Sequence, residues 1–191
     1  MVMAGEPPVV TLDPGEAERR ALRVRLVLTD CDGVLTDGTV YYSERGEELK
    51  RFSLRDGMGC ERLREIGVET AIVTREDSSI VVRRAQKLAV RLWGGVRDKR
   101  AVLTSVLIEH RVAPFQIAYI GDDVNDLGAM EYLAHEGLIC APVDAEPTVL
   151  ECVHVCSTRR GGEGAFRQIA EWIRSLRHEE SSRDELPRRS P

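Results

Sequence analysis

Asp30 and Asp32 stand two residues apart in the run Leu26-Val27-Leu28-Thr29-Asp30-Cys31-Asp32-Gly33. An apolar stretch rich in β-formers that breaks at Asp-x-Asp-Gly reads as a buried strand delivering two carboxylates to its C-terminal end, where open α/β sheets bind ligands. Two carboxylates held close repel each other. A hard cation relieves that cost, and Mg²⁺ favours one or two carboxylates together with waters and phosphate oxygens. An Asp-rich turn that merely ends a strand accounts for these residues equally well, so the residues downstream decide. Thr74 closes a second apolar run, Lys99 follows a third, and Gly121-Asp122-Asp123-Val124-Asn125-Asp126 follows a fourth. A hydroxyl and an ammonium can hold phosphate oxygens, the lysine also offsets clustered carboxylates, and Asp122 can complete a metal shell opposite Asp30. Taken singly, each is an ordinary cap, surface lysine or turn. Their order at successive strand ends makes them a phosphate site.

The elements that must position them alternate between two periods. Strands are expected at Val24–Thr29, Glu69–Thr74, Val90–Trp93, Gln116–Ile120, Leu138–Ala141 and Val153–Cys156. Helices are expected at Gly57–Ile66 (with Met58, Leu63 and Ile66 on one face), Ser79–Leu88, Lys99–Glu109, Asn125–Ala134 and Gly164–Leu176. Strands separated by helices imply a parallel sheet covered on both faces. Thr39–Tyr42 and Glu48–Phe52 break the pattern, flanking Ser43-Glu44-Arg45-Gly46 as a β-hairpin inserted just after the Asp-rich loop. That insert is too small to be a cap domain. Its Tyr41, Tyr42 and Phe52 need cover, either from their own domain or from another subunit.

Composition narrows the classes. At 191 residues with 42% hydrophobic content the chain fits one domain with a substantial core. Residues 1–22, with Pro7, Pro8 and Pro14, and residues 178–191, rich in Ser, Arg, Glu and Pro, read as disordered tails around a domain at 23–177. A net charge of −5 argues against nucleic acid as a partner. Five cysteines with no C-x-x-C pair suggest neither a disulfide framework nor a zinc site. Without a long apolar span or signal-peptide pattern, a soluble cytoplasmic protein away from membranes is expected.

From about Arg25 to Arg174 the sequence resembles the haloacid dehalogenase superfamily of phosphatases. Asp30-Cys31-Asp32-Gly33-Val34 is similar to its first motif, Thr74 to the second, Lys99 to the third, and Gly121-Asp122-Asp123 with Asp126 to the fourth. The resemblance implies a Rossmann-like three-layer α/β/α fold with a parallel sheet. It makes Asp30 the nucleophile that forms an aspartyl-phosphate, Asp32 the general acid and then base, and Thr74 and Lys99 the remaining catalytic residues. Mg²⁺ would be held by Asp30, the backbone carbonyl of Asp32, and Asp122. Asp32 must carry a proton in the first half-reaction, which neighbouring carboxylates would favour.

Asp32–Gly38, the hairpin, Arg55-Asp56-Gly57-Met58-Gly59, Ser78–Leu88 and Arg160–Arg167 resemble a capless branch that includes 3-deoxy-D-manno-octulosonate 8-phosphate and 2-keto-3-deoxynononate 9-phosphate phosphatases. By that resemblance Thr36, Gly38, Arg55, Glu76, Arg84, Lys87 and Arg160 bind substrate. The assembly would be a homotetramer in which one subunit's hairpin covers the next subunit's site. Thr74-Arg75-Glu76 departs from the Thr-Gly-Arg of the octulosonate enzymes. Glu76, with Arg84-Ala85-Gln86-Lys87, is closer to the nononate enzymes, which places the nine-carbon class ahead of the eight-carbon one. Arg75 replaces a glycine usual in both. Similar domains are fused to sialate cytidylyltransferases, so a non-catalytic tetramerisation or regulatory module is the rival. The intact charged set Asp30, Asp32, Thr74, Lys99 and Asp122 favours an enzyme.

Overall fold

A computed structural model of the chain describes residues 7–184. In chain order the elements are β1 (Val9–Val10), α1 (Pro14–Arg23), β2 (Leu26–Thr29), β3 (Thr36–Ser43), β4 (Gly46–Phe52), α2 (Leu54–Glu65), β5 (Glu69–Val73), α3 (Ser79–Leu88) and β6 (Arg91–Trp93). There follow α4 (Leu103–His110), β7 (Ile117–Ile120), α5 (Leu127–Ala134), β8 (Leu138–Ala141), α6 (Pro147–Leu150), β9 (Val155–Cys156) and α7 (Ala165–Asp184).

Seven strands form one sheet in the order β1-β9-β8-β7-β2-β5-β6. All its pairings are parallel except β1 with β9. Strand periodicity of two splits each buried strand between two cores. Val27, Ile72, Ala118 and Ile120 face α2, α3 and α7, whose Leu63, Val81, Phe166 and Ile169 share that core. Leu26, Leu28, Ala71, Val73 and Tyr119 face α4 and α5, with Val106 and Met130. This is the expected three-layer arrangement, and the one separate sheet among the described residues is the β3–β4 hairpin. No cap domain is present among them.

Two expectations about the ends are corrected. Most of the leading segment is ordered: Val9 and Val10 pair antiparallel with Cys156 and Val155, and α1 buries Ala17 and Ala21. Asp13 caps α1 by accepting from the Glu16 amide, with Pro14 in the first turn where its missing N–H costs nothing. Arg20 then ties α1 to the end of α5 through the carbonyls of Ala134 and Gly137. At the other end α7 runs to Asp184, past the expected stop at Leu176. The expected tails at residues 1–6 and 185–191 lie outside the described residues.

Smaller shifts follow from local chemistry. α2 begins at Leu54 because the Ser53 hydroxyl accepts from the Arg55 and Asp56 amides, and its Met58 is exposed rather than buried. α4 begins at Leu103, which leaves Lys99 in the turn before it. Among the described residues no helix is long and apolar enough to cross a membrane, and all five cysteines are free thiols.

Candidate active site

Parallel register sets the site. β2 lies between β5 and β7, with Thr29 opposite Ile72 on one side and Ile120 on the other. The three chains therefore emerge at one edge, carrying Asp30, Thr74 and the Gly121-Asp122 turn. The Asp30 amide donates to the Ile120 carbonyl at 2.8 Å, extending the ladder one residue beyond the strand.

Lys99 projects into this edge almost wholly buried, 2.7 Å from Asp30 Oδ2 and 2.7 Å from Asp126 Oδ1. Burial opposes its charge, but Asp30 and Asp126 outweigh that and raise its pKa. Asp126 is fully satisfied by protein: Lys99 and the Tyr119 hydroxyl donate to one oxygen, and the amides of Asp122 and Asp123 approach the other. Asp30 accepts from the Cys31 amide at 2.7 Å through its remaining oxygen.

Carboxylate oxygens of Asp30, Asp122 and Asp126 lie within 4.8 Å of one another, against a single ammonium. Burial first, then mutual repulsion, pushes Asp30 up to about 7 and Asp122 up to about 8. Asp122 Oδ1 is buried with no hydrogen-bond partner. A buried carboxylate oxygen without a donor is costly, and the three carboxylates, when all ionised, exceed the one lysine by two negative charges, which a divalent cation neutralises. The residues thus fit a hard cation between Asp30 and Asp122, while Asp126 positions the lysine and the turn. Gly33 completes the fit: with φ +83°, a Cβ there would lie 1.8 Å from Asp122 Oδ2.

Asp32 stands apart from that cluster, and here an expectation is corrected. Its hydrogen-bond partners are a hydroxyl and an ammonium, not carboxylates. Thr36 donates to Oδ1 at 3.2 Å, and Lys50 of the hairpin lies 2.7 Å from Oδ2. Burial opposes the Lys50 charge, yet the hydrogen bond and charge of Asp32 prevail and raise its pKa.

Known proteins resemble this arrangement. The 3-deoxy-D-manno-octulosonate 8-phosphate phosphatase of Yersinia pestis is 37% identical over 156 residues, covering 81% of this chain and 82% of its own. That of Haemophilus influenzae is 37% identical over 158 residues, covering 82% and 86%. The chain belongs to this family of haloacid dehalogenase phosphatases. No family model matches the sequence. A cobalt-bound structure of the Haemophilus influenzae phosphatase superposes with TM-score 0.79 at 34% identity, covering 86% of this chain and 95% of that one. A Moraxella catarrhalis family structure in complex with magnesium, phosphate and KDO gives 0.82 at 29% identity, covering 90% and 98%.

Not every expected residue of the family's site gathers at the carboxylates. Thr74 is buried at the end of β5, its hydroxyl accepting from the Glu76 amide at 3.3 Å. Thr36 is buried beside Asp32, and its hydroxyl also accepts from the Gly33 and Gly38 amides. Glu76 is exposed in the loop after β5, and Lys87 is exposed on α3. Arg84 is engaged away from the cluster: it donates to the Ser53 carbonyl at 2.9 Å and lies over the Phe52 ring. Arg55 is exposed beside Leu54, Met58 and Arg167, and Arg160 is exposed and pairs with Asp144 at 3.3 Å. Within one chain these two arginines do not reach the carboxylates.

Sequence reasoning missed Lys50, Glu47 and Asp56. Asp56 is buried and accepts from the Gly164 and Arg167 amides, so it anchors the start of α7. A signal for Lys50 existed: alternation along β4 puts Glu48, Lys50 and Phe52 on the less exposed face, opposite Leu49 and Arg51.

Proposed function

We propose that this chain is a Mg²⁺-dependent phosphatase that hydrolyses a phosphorylated 2-keto-3-deoxy sugar acid through an aspartyl-phosphate on Asp30. The observation that carries this reading is the buried Asp30–Lys99–Asp126 network beside the unpartnered Asp122 oxygen. So costly a set of buried charges serves no purpose in a purely structural module, and that disfavours the rival.

Asp30 attacks phosphorus in line, and its own charge would repel a phosphate dianion were Lys99 not within contact. Mg²⁺, when bound by Asp30, Asp122 and the Asp32 carbonyl, supplies charge neutralisation at the phosphoryl oxygens. Asp32 protonates the leaving alkoxide, then takes a proton from the water that cleaves the aspartyl-phosphate. Thr74 offers its hydroxyl to a phosphoryl oxygen. The positions of Thr36 and Gly38 support roles in shaping the acid loop, whereas Arg55 and Arg160 fit substrate contacts made across a subunit boundary. A cytoplasmic homotetramer accords with the free thiols and with the exposed Tyr41 and Tyr42 of the hairpin.

The names of the relatives support the eight-carbon acid, 3-deoxy-D-manno-octulosonate 8-phosphate, as substrate. Glu76 supports the nine-carbon class, because an exposed carboxylate in the loop just after Thr74 can accept hydrogen bonds from a longer hydroxylated tail and does not pair with a sugar-acid carboxylate. Steady-state phosphate release, measured with Mg²⁺ on eight- and nine-carbon keto-acid phosphates and on ordinary sugar phosphates, tests both readings. Efficiency on a keto-acid phosphate should exceed that on glucose 6-phosphate at least tenfold, roughly the discrimination a few specific contacts supply. Equal efficiencies across the panel would refute the substrate class.

A further inference from the structure

The hairpin reaches the Asp32 carboxylate through Lys50. Lys50 lies on β4, whose neighbours Leu49 and Arg51 are exposed, yet the Lys50 side chain is only 4% exposed. Its ammonium meets Asp32 Oδ2 at 2.7 Å and Glu47 Oε2 at 3.5 Å. The other Glu47 oxygen accepts from the hydroxyl of Ser78, at the start of α3 and just beyond the loop that carries Thr74 and Glu76. Ser78, Glu47, Lys50 and Asp32 thus form a continuous polar chain, from the loop after β5, through β4, to the Asp32 carboxylate. Thr36 holds the second oxygen of that carboxylate at 3.2 Å.

Ordering a lysine side chain gives up much rotamer freedom, and burying its charge adds a desolvation cost. Nothing in the stability of a two-stranded ribbon requires either. The arrangement does fix a short acidic side chain by both of its oxygens, from two different segments. An acid must stand within hydrogen-bond reach of the leaving oxygen, and a displacement of about 1 Å can cost about a hundredfold in rate.

We propose that Lys50 is a positioning residue, which holds the Asp32 carboxylate toward the leaving-group oxygen, and that Glu47 and Ser78 set where Lys50 stands. The inference rests on the reading of Asp32 as general acid. In the first step the Asp30 oxygen bonds to phosphorus and the ester P–O bond breaks, its electron pair staying on the leaving oxygen, which takes the Asp32 proton. In the second, a water oxygen bonds to phosphorus, the Asp30–phosphorus bond breaks, and the water proton passes to Asp32. Lys50 exchanges no proton in either step.

Leaving-group dependence tests this. An alkoxide needs the acid, whereas p-nitrophenolate leaves without one. Lys50→Met should lower kcat on an alkyl phosphate sugar acid by about ten- to a hundredfold, a share of the general-acid contribution, with KM little changed. On p-nitrophenyl phosphate the same variant should lose less than about threefold, and Lys50→Arg should recover part of the alkyl activity. Glu47→Gln, which keeps the lysine but removes one of the charges that set its place, should show the same bias toward p-nitrophenyl phosphate more weakly, and serves if Lys50→Met does not fold. Equal loss on the two substrates, or a rise in KM alone, would overturn the proposal. Wild type and Asp30→Asn on p-nitrophenyl phosphate separate this from the reading beneath it. An active wild type with a dead Asp30→Asn and no leaving-group bias in the Lys50 variants sinks the positioning role alone. A wild type inactive on both substrates sinks both.

Discussion

The carboxyl edge of the sheet and the hairpin lie side by side and are built on opposite terms. At the edge, Asp30, Lys99 and Asp126 are buried and bonded to one another, held by strands whose every residue is covered. The hairpin exposes Tyr41, Tyr42 and Leu49 by more than 60% each and pairs with no strand outside itself among the described residues. Chemistry common to the family belongs where geometry is over-determined, and recognition belongs where the chain has surface still to cover. Lys50 is the join between the two.

That contrast predicts the largest effect at the edge. Asp30→Asn keeps the shape and removes the nucleophile, so turnover should fall at least about a thousandfold. The metal-free variant should melt no lower than wild type, because burial penalises the lost charge. A folded variant that keeps more than about a tenth of the activity would break the assignment.

Metal binding comes next. Asp122→Ala should weaken Mg²⁺ affinity by about ten- to a hundredfold, with activity partly restored by excess metal. Linkage gives a second signature in the wild type. Carboxylates raised to about 7 and about 8 in the folded state, against about 4 unfolded, keep protons that the unfolded chain has released. Metal-free stability therefore falls as pH rises from about 4 to about 8, and added Mg²⁺ should raise the melting temperature more at pH 8 than at pH 5. An upshift independent of pH would mean that the cation sits elsewhere.

Moving outward, Glu76→Arg should shift the ratio of efficiencies on nine- and eight-carbon substrates toward the shorter acid by about tenfold, the worth of one hydrogen bond to a charged group. An unchanged ratio would leave Glu76 as a surface acid. The smallest catalytic effect is expected at the hairpin tip. Removing Ser43–Gly46 should loosen subunit association, read by sedimentation, and erode substrate preference a few-fold while activity on p-nitrophenyl phosphate persists. A wild type that sediments as a monomer while fully active would show that the ribbon's apolar side serves no neighbouring subunit.

Legibility in the sequence followed the same division. The parallel strands of the sheet and the residues that leave them are readable, because an apolar run ending in Asp, Thr or Gly-Asp is a local signal and parallel order does the rest, whereas the two-residue antiparallel β1 is too short to give such a signal. Lys99 was found at its place in the order but put in a helix, since the turn from Asp98 to Val102 has no Gly or Pro to mark it. α1 was lost among prolines, although Asp13-Pro14 is a cap followed by the one helical position that suits proline. The roles of Lys50 and Glu47 escape the sequence for another reason. Their partners, Asp32 and Ser78, are fixed by how the ribbon folds back, and strand alternation gives the face a residue occupies, not what meets that face.

One contact has a consequence for synthesis of the chain. Gly161 sits so close to the acid loop that a Cβ there would lie 1.8 Å from the Gly33 carbonyl oxygen, and the Gly162 amide donates to Val34 at 2.9 Å. The loop around Gly33 thus gets a wall from a segment that follows it by 128 residues in the sequence. Contacts of such long sequence separation form only after the intervening chain has condensed. A nascent polypeptide stalled before Gly161 carries every acidic group of the centre but not the wall that shapes it, and chains truncated there should remain silent toward phosphate esters.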